Sequence, residues 1–105
     1  MATTAVLLPV QGEPQEITIG DWKDLGRAVG GWIERAPTPG APFTLYVNEE
    51  GKLDGLPLNV RANRLANRYR YWNDPLVGDA VLVGPPTPAG DDTDFTLAEY
   101  EDLLS

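Results

Sequence analysis

Apolar and polar positions change their spacing several times along this chain, and each change marks a predicted element. Ala5–Val10 is an apolar run of strand length, Gln11-Gly12-Glu13-Pro14 reads as a turn, and Glu16–Ile19 alternates with Ile17 and Ile19 on one face. Together they predict a β-hairpin whose second arm is half buried. Pro9 suits a strand end better than a sheet centre, because it lacks a donor for the ladder. At Asp21, whose carboxylate can accept from the orphan amides of a first helical turn, the period lengthens. Trp22, Leu25, Val29 and Trp32 recur at helical spacing with Ala28 beside them, which predicts one buried stripe. Gly30-Gly31 stops that helix, and Gly31–Ala36 predicts a further strand. Pro37–Pro42 holds too many prolines for a regular element and reads as an exposed loop.

The most patterned stretch runs from Thr44 to Arg70. Thr44–Asn48 is the clearest strand, with Phe43, Leu45 and Val47 on one face and Thr44 and Tyr46 on the other. Glu49-Glu50-Gly51 predicts a hairpin-type turn in which Gly51 takes a positive φ. Lys52-Leu53 starts a return arm, Asp54-Gly55 turns again, and Leu56-Pro57 leads into a helix. From Asn59 to about Tyr71 that helix divides into three sectors at ~100° per residue. Ala62, Leu65, Ala66, Tyr69 and Trp72 make the apolar face; Arg61, Arg64 and Arg68 share a second; Asn59, Asn63 and Asn67 form an i, i+4 ladder on the third. Asn is a mediocre helix former, so helix propensity does not account for the ladder.

Asn73-Asp74-Pro75 breaks the helix, and Asp79–Val83 predicts a short strand inside the sheet, ended by Gly84-Pro85-Pro86. Thr87–Asp94 reads as a second exposed loop. Thr96-Leu97-Ala98-Glu99 is a capping box, a hydroxyl cap with a returning carboxylate. The last helix is expected to place Leu97, Tyr100 or Glu101, and Leu104 on one side, with Leu103 adjacent. The whole predicts a single α+β domain over residues 1–105. Its sheet is expected to be mixed or antiparallel, of about four to five strands, packed by two to three helices near 21–30, 58–71 and 96–104.

Composition narrows the chemistry. The chain has 105 residues, no Cys and no His, which removes thiol nucleophiles, disulfides, thiolate zinc sites and imidazole bases. Ser105 is the sole serine, and no phosphate-cradling glycine loop, nucleophile elbow or EF-hand loop is present. The expectation is a protein that is not an enzyme, with no catalytic residue, metal ligand or cofactor to nominate. No apolar run approaches the ~18–20 residues that span a bilayer, and Met-Ala-Thr-Thr-Ala-Val lacks the basic start of a signal peptide. A soluble, cytoplasmic protein with no membrane partner is expected.

The net charge of −8 repels nucleic acid on average, but it is unevenly placed. Arg61, Arg64 and Arg68 are candidates for contact with phosphates or an acidic partner, and they also read as a solvated face paired with the chain's own acids. Asn59, Asn63 and Asn67 offer a hydrogen-bonding strip, or face solvent with Asn59 capping the helix. Asp91, Asp92, Asp94, Glu99, Glu101 and Asp102 form an acidic surface without a base. That surface is either solubilising or an imitation of nucleic-acid charge that would occupy a basic groove. The expected contact surface joins Tyr46 and Asn48 to the polar faces of the helix: Asn59, Arg61, Asn63, Arg64, Asn67 and Arg68. The first reading is a protein-binding modulator; the alternatives are a nucleic-acid binder and an acidic mimic.

Val29-Gly30-Gly31-Trp32-Ile33-Glu34, Tyr46-Val47-Asn48-Glu49-Glu50-Gly51-Lys52-Leu53, Gly55-Leu56-Pro57-Leu58-Asn59 and Val81-Leu82-Val83-Gly84 occur in an order that resembles a family of small proteins of unknown function. That family is widespread in phages and mobile elements, with many members in actinobacteria. The likeness covers nearly the whole chain and departs at Leu76-Val77-Gly78-Asp79, where Asn73-Asp74-Pro75 lengthens the approach to the last strand. It implies no catalytic residues. What it does imply is a phage accessory gene expressed in the host cytoplasm, whose product acts by binding a host or phage macromolecule rather than by catalysis.

Overall fold

Residues 2–104 are described in a computed structural model of the chain. The elements are β1 (Thr3–Leu8), β2 (Gln15–Ile19), α1 (Trp22–Val29), β3 (Ile33–Ala36), β4 (Thr44–Asn48), α2 (Val60–Ala66), β5 (Ala80–Val83) and α3 (Leu97–Leu104). The strands form one sheet in the order β2-β1-β5-β4-β3, and every neighbouring pair is antiparallel. The N-terminal hairpin pairs Thr3 with Ile19 through Leu7 with Gln15. β5 lies between β1 and β4, and all its residues are buried, as an unbroken Ala-Val-Leu-Val run requires.

Pleat alternation gives the sheet two apolar faces. Val6, Leu8, Leu45, Val47 and Leu82 meet Ala62, Leu65 and Ala66 of α2 and Tyr100 of α3. Ala5, Tyr46, Val81 and Val83 meet Leu25 and Val29 of α1 on the other face. The domain is therefore a five-stranded antiparallel sheet between helices.

Local sequence sets the helix ends. The Asp21 carboxylate accepts from the amides of Lys23 at 2.9 Å and Asp24 at 3.2 Å. Asp24 in turn accepts from the Gly20 amide at 2.6 Å, so the first turn is capped from both sides. Gly30 ends α1 in the left-handed region at φ 83°, where a side chain would be strained. The Thr96–Glu99 box holds at the start of α3, each residue bonding the other's backbone amide at 3.1 Å.

Several expectations are corrected. Trp22 and Trp32 are not buried: they are 57% and 65% exposed. Trp22 is the first residue of α1, ahead of its first buried position at Leu25, and Trp32 lies beyond the Gly30 stop, so the apparent stripe spans two elements. Lys52-Leu53 is no strand: residues 49–55 turn back on themselves and Leu53 is 88% exposed. Gly51 is not among the positive-φ glycines; a Cβ there would meet Val77 Cγ2 at 2.9 Å, so space is what limits the position. The second helix ends at Ala66, not near Tyr71. The Arg68 and Tyr69 amides fall back on carbonyls three residues earlier, a tightening that closes the helix, and Trp72 lies outside it. Leu56-Pro57 likewise precedes α2, because Leu58 pairs with Val77 in an isolated bridge. In α3 the inward residues are Leu97, Tyr100 and Leu103, whereas Leu104 and Glu101 face out.

Candidate functional site

Two rungs of the asparagine ladder, Asn59 and Asn63, turn inward to the fold, and Asn67 stays exposed. Asn59 is 1% exposed. Its Nδ2 donates to the carbonyls of Leu8 and Gly78, each at 2.9 Å, while its Oδ1 accepts from the Ala62 amide at 3.0 Å and caps α2. Asn63 donates to the Asn59 and Leu76 carbonyls at 2.7 and 2.8 Å and accepts from the Leu76 amide at 3.0 Å. Asn67 accepts from Arg70 Nε at 3.0 Å, and the largely buried Arg70 also donates to the Asp74 carbonyl at 2.8 Å. These side chains stitch α2 to the segment that feeds β5. Asn59 and Asn63 have spent their polar groups within the domain, which removes them from the expected contact strip.

The arginine sector is divided in the same way. Arg61 pairs with Glu13 across 3.4 Å, and Arg68 donates to the Leu103 carbonyl at the C-terminal end of α3, where a cation meets the negative end of the helix dipole. Only Arg64 of the three is exposed without a bond among the described residues. The acids scatter too. Asp94 accepts from the Thr4 amide at 2.9 Å, Glu99 belongs to the capping box, and Glu101 and Asp102 are exposed on α3. Asp91 and Asp92 lie at a cleft on the α1 face instead.

Tyr46 and Asn48 therefore stand on the opposite side of the sheet from α2, and the single surface expected to join them to the arginines is split by the sheet. Asn48 is buried, donating to the Val29 carbonyl at 3.3 Å and accepting from the Glu50 amide at 2.8 Å. Tyr46 forms the floor of the cleft. Its hydroxyl donates to Asp92 Oδ1 at 2.7 Å and accepts from Arg35 Nη2 at 3.3 Å, and the Arg35 guanidinium lies 5.8 Å from the ring centroid. Burial is the main force raising the Tyr46 phenol above its ordinary value; the bond from Arg35 opposes that shift and the bond to Asp92 adds to it.

The cleft measures about 520 Å³ and is lined by Thr3, Ile19, Gly20, Asp21, Trp22, Leu25, Ile33, Tyr46, Asp91 and Asp92: apolar and aromatic walls, three carboxylates and no base. At its rim Trp22 and Trp32 stack with centroids 6.4 Å apart and planes 9° from parallel. Lys23 Nζ lies 5.9 Å from the Trp22 centroid. Sequence reasoning missed this site because it spent both tryptophans on the core. The signal was present: Gly30-Gly31 separates Trp32 from the helix that its spacing suggested.

Fold and site define an α+β domain with a two-faced antiparallel sheet and an acidic, aromatic-rimmed cleft beside its first helix. By sequence the chain belongs to a family described as a domain of unknown function, DUF3846, whose model matches residues 3–105. No curated protein and no solved structure matches it. Among the described residues no helix is long and apolar enough to cross a membrane.

Proposed function

We propose that this domain is a non-enzymatic accessory module, encoded by a phage or mobile element, that binds and modulates a host protein through the Trp22–Trp32 rim. The observation that carries this reading is the pair itself: two stacked indoles, each more than half exposed, beside a cleft with an aromatic floor. Burying a large apolar side chain contributes roughly 1.5–3 kcal/mol, and Trp is among the commonest interface anchors. A partner that covers the pair gains from both rings without reorganising the core. The charge-based readings have less support. Two of the three arginines expected to hold nucleic acid are engaged within the domain, and the acids expected to imitate it fall on both sides of the sheet.

A photo-crosslinking residue tests the reading when placed at position 32 and, as a control, at Tyr71, which is 97% exposed but outside the rim. Expressed in an actinobacterial host, the protein should give a discrete heavier adduct from position 32 alone. No adduct at 32, or the same adducts from both positions, would contradict it.

A further inference from the structure

We propose that the cleft beside the tryptophan rim takes the guanidinium of an arginine presented by the partner protein; this deepens the reading above and rests on it. Three features of the cleft converge on that group. The first is charge complementarity: Asp21, Asp91 and Asp92 line the cleft, against two cations, Lys23 and Arg35, that lie over its rings from outside the lining. The second is that the chain's own cations already occupy its rings, with Lys23 over Trp22 and Arg35 over Tyr46. Lys23 is exposed, and on this proposal the incoming guanidinium takes its place at the Trp22 ring. The third is an available acceptor. Asp91 is exposed and its carboxylate makes no bond among the described residues, whereas Asp92 holds Tyr46 and Asp21 caps α1. A planar guanidinium can stack on an indole while its fork donates to a carboxylate, which an ammonium cannot do with the same geometry.

The probe is an acetylated, amidated Gly-Arg-Gly-Arg-Gly peptide, compared with the same peptide carrying Lys or the uncharged isostere citrulline. Binding is followed by ¹H–¹⁵N correlation spectra of the full chain. The Arg peptide should shift the Trp22 indole N–H and the Asp91 and Asp92 amides, more tightly than Lys and far more tightly than citrulline. Trp22→Ala and Asp91→Asn should each weaken it about tenfold, and Glu101→Gln on α3 should leave it unchanged. Both substituted cleft residues are exposed, and Asp21 and Asp92 are left intact because they hold the fold. Equal affinity for citrulline, or shifts centred on Glu101 and Asp102, would overturn the proposal. So would a concentration-dependent self-association in which a second copy covers the Trp22 and Trp32 indoles. If citrulline equals arginine while crosslinking from position 32 still succeeds, the guanidinium chemistry fails and the protein-binding reading stands. If crosslinking also fails, both fall.

Discussion

Asn59 joins three parts of the chain with one amide: it caps α2 and ties the carbonyls of Leu8 and Gly78 to it. Because it is buried, removing the side chain takes a hydrogen bond from each of two carbonyls and from a helix amide, so Asn59→Ala should cost about 2–4 kcal/mol by urea denaturation. Asn67→Ala, at an exposed position, should cost less than about 1 kcal/mol. Asn59→Asp separates the roles: it keeps the cap but loses both donors, and it should destabilise at least as much as Ala. The ladder was legible in the sequence as a spacing, and its capping role was one of the readings open. Its inward direction was not, because the partners Leu8 and Gly78 lie on segments that only tertiary structure brings to Asn59.

Among the elements, the five strands of the sheet, the Asp21 cap and the Thr96–Glu99 capping box were readable because their signals are local: alternation, turn residues, and capping side chains. The end of α2 and the exposure of Trp22 and Trp32 were not. An apolar spacing of three or four looks the same whether the chain remains helical or has already turned away. The first turn of α1 offers a direct test of local electrostatics. Asp24 is held below its usual value of 3.8, chiefly by the Gly20 amide and further by the Asp21 amide and Arg27, with desolvation opposing. A lowered carboxyl contributes stability above its unfolded value and loses it as pH falls through the folded one. Thermal melts between about pH 5 and 2.5 should therefore show the wild type losing stability more steeply than Asp24→Asn. Parallel slopes would contradict the assignment.

On the scale of the whole molecule, the sheet divides the charged and polar groups between two faces. The α+β class followed from the hydrophobic pattern, which left a mixed or an antiparallel sheet open; the structure makes every pair antiparallel, and which polar groups share a face depended on a strand order that the sequence also left open. Placing β5 between β1 and β4 sends α2 and α3 to one face and α1 to the other. The arginines are thereby separated from Tyr46, and Asp91 and Asp92 are brought beside Trp22. We propose that partner binding runs through that second face. Affinity capture from an extract of the cells that carry the gene, with wild type and a Trp22→Ala/Trp32→Ala double variant run side by side and read by quantitative mass spectrometry, tests it. Both residues are exposed, so the variant should melt within a few degrees of the wild type. A stoichiometric protein should appear with the wild type, fall at least tenfold with the double variant, and persist with Arg61, Arg64 and Arg68 changed to Ala. A partner retained by the double variant and lost with the arginines would contradict it.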